Sequence, residues 1–213
     1  MDGGIDMGIR CRDVMDHMEA WALLNLCEEW DNSGLLIGDP QKEVKKVLVA
    51  LDVTVSTAER AITDKVDMIV SHHPLIFNPI KSIFTHRPFG HLLRKILCSD
   101  TAVYAAHTNL DRCRHGVNDE LARRLGMKNI KTMDADSGLG RIGDLKHPAA
   151  IDELVERIKS NLQVPYVKVV GEVSGTVTRI ADLRPNPQCT FANSATSLGL
   201  SKRKSTFNPL VGE

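Results

Sequence analysis

Val47-Leu48-Val49-Ala50-Leu51, a mixed segment reaching about Lys65, then Asp67-Met68-Ile69-Val70-Ser71-His72-His73-Pro74: this stretch decides the fold. Its first run is nearly continuous in apolar residues, the pattern of a strand buried on both faces. Ser56 or Thr57 can cap a helix through Lys65, with Glu59 in its first turn. The second run reads as a short buried strand that Pro74 stops. Strand, helix and strand joined by short links make the two strands parallel. Both then finish on one edge, which places Asp52 near His72 and His73.

The same alternation extends outward. A helix from about Phe89 to Leu97 leads into a strand over 101–106, whose apolar end Val103-Tyr104-Ala105-Ala106 runs into His107. Thr108-Asn109-Leu110 suits one helical turn, which would bring Asp111 to the face of His107. Upstream, residues 12–28 have helical spacing, Trp30–Gly34 reads as a turn and Leu35–Gly38 as a strand. Downstream, Val117–Leu125 is a helix ended by Gly126 and 149–162 an amphipathic helix, with strands expected at Tyr166–Val170 and Thr176–Ala181. The fold class is α/β, a parallel-containing sheet with flanking helices. Gly138-Leu139-Gly140-Arg141-Ile142-Gly143 matches G-x-G-x-x-G but follows a polar linker and leads to Lys146-His147-Pro148. A dinucleotide fingerprint needs a strand before it and a helix after it, so a glycine-rich strand and turn is the better reading.

Composition removes several function classes. With 27 basic and 27 acidic side chains in 213 residues, no global field favours nucleic acid or an anionic membrane. Aromatic residues make up only 4% of the chain, which argues against a stacking platform for single strands. Five cysteines without a C-x-x-C pair suggest reduced thiols rather than a disulfide framework. No signal-peptide pattern and no membrane-length apolar run is present, so a cytoplasmic protein is expected.

In an open α/β sheet, ligands bind where the carboxyl ends of parallel strands meet. His72, His73, His107 and Asp111 all fall at such ends, and imidazole with carboxylate suits a divalent cation. Neighbouring strand residues point to opposite faces, so His72 and His73 share an ion only if the backbone turns. Otherwise they flank a cleft and serve two ions side by side. The competing reading is structural, with the His pair bonded to local carbonyls. Asp31 and Asp52 suit acceptors for the second N–H of a metal-bound imidazole, and Asp31 equally suits a turn cap. His17, His86, His91, His115 and His147 lie on polar segments and are expected to be exposed. Lys202-Arg203-Lys204 reads as solvated surface.

Four segments together resemble the NIF-three-like family (NGG-one-interacting factor three), whose bacterial members are often labelled GTP cyclohydrolase I type 2-like. They are Glu29–Pro40, Val47–Thr54, Ser71-His72-His73-Pro74-Leu75-Ile76-Phe77 and Tyr104–Asp111. The similarity covers about residues 10 to 181. It implies a subunit of a toroidal homohexamer with a dinuclear site, in which His72, His73 and Asp111 are metal ligands. His107 would be a ligand or close neighbour, cast here as the catalytic group that moves protons. The cofactors implied are two divalent ions per subunit, drawn from Zn, Mn, Fe or Ni.

The resemblance also implies a C-terminal His-x-x-x-Glu, and no histidine follows His147. The second half of the family fold is therefore expected to be incomplete. Residues 1–181 would form the family domain, and 182–213 a non-homologous, disordered tail left by a frame change, altered splicing or a faulty gene model. The function implied is a metal-dependent hydrolase, acting on a small nucleotide or phosphoester and possessing fewer ligands than its relatives. The alternative is a non-catalytic metal-binding regulatory or protein-interaction factor. Neither a membrane nor a nucleic acid is an expected partner.

Overall fold

The computed structural model describes residues 8–171, 174–183 and 190–193. The chain runs α1 (Cys11–Trp21), a 3-10 turn (Leu24–Leu26), β1 (Gly34–Ile37), β2 (Val47–Ala50), α2 (Val55–Thr63), β3 (Met68–Ser71), α3 (Pro88–Cys98) and β4 (Ala102–Ala105). These build a four-stranded sheet of order β1-β4-β3-β2. β2, β3 and β4 are mutually parallel, as their strand–helix–strand spacing requires, and β1 runs antiparallel to β4 with Gly34 opposite Ala105. An antiparallel edge strand begins where its parallel neighbours end. The turn before β1 thus reaches the same edge as Asp52, His72 and His107.

Alternation along the strands divides the core. Ile69 and Val103 pack with Ala58 and Ala61 of α2 and Leu92 and Ile96 of α3. Met68, Val70, Ala102 and Tyr104 face the opposite way, against Cys11, Val14 and Met18 of α1. Helices on both faces bury β3 and β4 completely.

The second half adds α4 (Thr108–Arg112), α5 (Val117–Arg124), β5 (Met127–Thr132), β6 (Arg141–Ala150), α6 (Ile151–Leu162), β7 (Thr176–Leu183) and β8 (Thr190–Asn193). Strands β5 to β8 pair antiparallel in sequence order as a second sheet. Its core joins Ala122 and Leu125 at α5, Leu154 and Ile158 of α6, and Val177 and Ile180 of β7. Gly126 (φ +73°) ends α5 as expected. The glycine-rich stretch is indeed a hairpin: Gly138 and Gly140 take positive φ at the β5–β6 turn. A Cβ on Gly143 would meet the Lys128 carbonyl at 2.8 Å, so the strands approach there only without a side chain.

Several expectations need correction. β2 is an edge strand and not buried on both faces: Val49 is 77% exposed, while Leu48 turns inward. The helix expected over 12–28 stops at Trp21. Asn109 Nδ2 donates to the Ala22 carbonyl (2.7 Å) and Arg112 Nη1 to that of Leu26 (2.9 Å), taking acceptors a longer helix would need. Thr54, not Ser56 or Thr57, caps α2, accepting from the Thr57 N–H at 3.1 Å. Tyr166–Val170 forms no strand, and both end residues are highly exposed. The polar linker expected before Gly138 is partly β5, which is held by backbone pairing and not by an apolar face.

β7 continues past Ala181 to Leu183, and Ile180 to Leu183 pair with β8. Cys189, Lys202–Lys204 and most of the expected tail lie outside the described residues. Cys11, Cys27, Cys98 and Cys113 are free thiols.

Candidate metal centre

Three successive strand ends and one strand start supply the site. β3 stops at Ser71, and its hydroxyl donates to the His73 carbonyl (2.9 Å), bending the chain. The bend brings the His72 and His73 rings to one side, with centroids 5.0 Å apart. This is the backbone turn that two adjacent histidines require to share a site. β4 delivers His107, whose ring centroid lies 5.3 Å from that of His72 and 5.6 Å from that of His73. α4 is the expected single turn, closed by the Asp111 N–H on the His107 carbonyl at 3.1 Å. It places the buried Asp111 carboxylate 3.7 Å from His72 Nε2.

Each imidazole is oriented through Nδ1. His72 meets the Ala106 carbonyl at 2.9 Å, His73 meets Asp52 at 2.7 Å and His107 meets Asp31 at 2.8 Å. A carbonyl or carboxylate accepts only, so each Nδ1 carries a proton and Nε2 is the nitrogen left to a ligand. That arrangement suits ligation through Nε2.

Asp31 resolves the alternatives left open for it by filling both roles. Its Oδ1 accepts from His107, while its Oδ2 accepts from the Thr108 N–H (3.0 Å), the Thr108 hydroxyl and the Ser33 hydroxyl (3.1 Å). It therefore fixes a ring and also satisfies the first turn of α4. Burial alone would raise the Asp31 carboxyl, but the hydrogen bonds from His107 and Thr108 prevail and hold it well below the usual carboxylate range. Asp52, half exposed, plays the simpler part of acceptor to His73.

The donor set passes a test of fit. Two ligand atoms about 2.1 Å from one ion lie at most about 4.2 Å apart. The 3.7 Å between His72 and Asp111 falls inside that limit. One nitrogen from each of His72, His73 and His107 lies within 4.8 Å of the others, close enough for the three to serve a common centre. The His-x-x-x-Glu pair implied by the resemblance is not in the sequence.

All four predicted site residues thus meet in one place. His17, His86, His91, His115 and His147 are exposed, as expected. Sequence reading missed Ser33 and Thr108, which hold Asp31, and Asn32, whose side chain donates to the Ile76 carbonyl (2.5 Å). It also missed Trp30 and Phe77, whose rings edge onto His107 at 6.3 and 6.4 Å. The polar run Asp31-Asn32-Ser33 just before the apolar Leu35-Leu36-Ile37 was the available signal.

The fold and site define an α/β protein with a histidine and aspartate centre at the carboxyl edge of a mixed sheet. Residues 9–183 match the model of the Duf34/NIF3 (NGG1p interacting factor 3) family, and the chain belongs to that family. A relative from Clostridium perfringens, named GTP cyclohydrolase 1 type 2 homolog, is 32% identical over 87% of this chain and 73% of its own length. A relative of the same name from Methanocaldococcus jannaschii is 39% identical over 71% of this chain and 60% of its own. The crystal structure of Staphylococcus aureus protein SA1388 superposes with a TM-score of 0.75 at 31% identity, covering 81% of this chain and 71% of that one.

Proposed function

We propose that this protein binds divalent metal at His72, His73 and Asp111 and acts as a metal-dependent hydrolase of the GTP cyclohydrolase 1 type 2 homolog kind. The observation that carries the reading is the tautomer set: three converging imidazoles, each with Nδ1 committed to an oxygen acceptor. A structural His-His pair needs no third ring and no buried aspartate beside it. A bound divalent ion would supply Lewis acidity and make water a better nucleophile at neutral pH.

The protein's own groups do the rest. Asp52 and Asp31 keep the His73 and His107 rings in place and fix which nitrogen carries the proton. His107, cradled by Asp31, Ser33 and Thr108, holds or accepts a proton at Nε2 when it is not itself a ligand. The non-catalytic alternative shares the metal centre and differs only in turnover. Homohexamer formation, a cytoplasmic location and a nucleotide or phosphoester substrate belong to the same proposal. Among the described residues, no helix is long and apolar enough to cross a membrane.

Turnover of GTP and of a simple phosphoester by metal-supplemented full-length protein, beside His107→Ala, tests the reading. Metal-dependent product release that falls at least a hundredfold in the variant supports it, on the usual scale for a proton-transfer group. Metal uptake with no turnover on either substrate would favour the regulatory alternative.

A further inference from the structure

The glycine-rich segment Gly138–Gly143 supplies nothing to the metal centre directly, yet its arginine grips the element that carries Asp111. Arg141 opens β6 in the second sheet and is buried. Its hydrogen bonds use all the N–H directions a guanidinium offers. Nε donates to the Asp119 carboxylate of α5, forming an ion pair. Nη1 donates to the carbonyls of Gly138 (3.3 Å) and Gly140 (2.9 Å). Both glycines take positive φ, which lets the hairpin fold around its own arginine. Nη2 donates to the carbonyls of Arg112 (3.2 Å) and Cys113 (3.4 Å). Those two residues close α4, directly after Asp111.

With five residues, α4 is too short to hold its own shape, so its position is set by what grips its ends. Its first turn is held from the β1 side, where Asp31 accepts from the Thr108 N–H. The carbonyls at its other end find no donor within so short a helix, and the second half of the chain supplies them. Asn118 Nδ2 donates to the Asp111 carbonyl (2.9 Å), and Arg141 takes the next two, sharing that of Cys113 with the Gly116 N–H. Asp119 also accepts from the His115 N–H (2.6 Å), so the loop after α4 is tied to the same ion pair. We infer that Arg141 is a positioning residue: paired with Asp119, it transmits the placement of the second sheet to α4 and keeps the Asp111 carboxylate at coordinating distance from His72. This deepens the reading of the metal centre and rests on it. Lysine would keep the charge but lacks the planar fork, so it cannot hold the carboxylate and both sets of carbonyls at once.

The test titrates cobalt(II), whose visible absorption reports its ligand geometry, into the full chain and its variants, with thermal unfolding followed in parallel. Arg141→Lys should bind cobalt at least about tenfold more weakly and alter the absorption of the bound ion at saturation, because Asp111 no longer meets it in the same geometry. Asp119→Asn keeps the arginine but loosens it, and should weaken binding at least about threefold. Val177→Ala removes packing from the core of the same sheet. It should lower the unfolding midpoint yet leave cobalt affinity within about twofold and the spectrum unchanged, which separates positioning from a general loss of stability. Cobalt binding by Arg141→Lys within about twofold of the unaltered chain, or a loss in Val177→Ala as large as in Arg141→Lys, would overturn the inference, while uptake by the unaltered chain leaves the metal centre standing. Should Arg141→Lys not fold, Asp119→Asn decides by the same criteria. Absent cobalt uptake by the unaltered chain would overturn both.

Discussion

Replacing Asp31 by alanine removes one carboxylate that several donors share. The His107 ring, the Thr108 N–H and the Thr108 hydroxyl all lose their acceptor, and so does the Asn32 N–H, which lies 2.7 Å from Oδ1. The carboxylate is fully buried, so water does not replace it without rearrangement. Hydrogen bonds to a charged acceptor are worth about 1.5–3 kcal/mol each, but partners in one network are not additive. A net loss of about 3–5 kcal/mol follows, the usual scale for breaking a buried charged network. At about 2–4 °C per kcal/mol for a chain of this size, the midpoint of thermal unfolding should fall by about 10 °C. Circular dichroism in chelator, near pH 7, measures this apart from any metal. The pH dependence carries its own sign. The folded carboxyl is held below its unfolded value, so the unfolded state binds more protons as the medium turns acidic. Its contribution is therefore fully present above about pH 5 and fades as pH falls below the ordinary carboxylate range near 4. A midpoint shift of less than about 2 °C at pH 7 would refute this account of the Asp31 network.

Other consequences are open to equally direct tests. Asp52→Asn should weaken metal affinity by about 10–100-fold, the usual effect of losing an outer acceptor, while barely changing unfolding, because Asp52 is half exposed. Burial pushes the Asp182 carboxyl up to about 7, despite opposing help from Arg141. A folded value above the unfolded one means stability falls as pH rises between about 4 and about 7, by up to about 1.4 kcal/mol per unit. Asp182→Asn should flatten that slope in urea titrations, and an unchanged slope would contradict the assignment. At Gly116 an added Cβ would meet the Leu110 carbonyl at 2.0 Å, next to Asp111. Gly116→Ala should therefore cost about 1–3 kcal/mol and weaken metal binding together, and a loss of neither would show that the α4–α5 corner yields easily. Burial raises the Cys113 thiol to about 11, so thiol reagents should modify exposed Cys98 well before it in the native protein.

Where the chain is buried on both sides, its sequence spoke clearly. β3 and β4, the turn after His107 and the helices between the strands follow from apolar runs, a proline stop and short links. The site was legible for the same reason, because parallel strands carry their carboxyl ends to one edge whatever the details of packing. β2 misled because an apolar run reports strand propensity, whereas exposure depends on which strand ends up at the edge. β5 was hidden for the converse reason: Met127 is its only buried residue, and its backbone pairing leaves no hydrophobic period to read. Tyr166–Val170 has strand-like residues without, among the described residues, a neighbouring strand to accept them. The roles of Asp31, Ser33 and Thr108 depend on contacts across some seventy-five positions of chain, which no local pattern encodes.

Binding of zinc and manganese to the full chain, followed by equilibrium dialysis with elemental analysis beside a His73→Ala protein of matched circular dichroism, bears most directly on the metal centre. The unaltered chain should take up divalent metal, holding it less tightly than two fully ligated ions would be held, and the variant should bind at least tenfold more weakly. Equal uptake by the two proteins, or none by either, would contradict the claim that these strand ends share a cation.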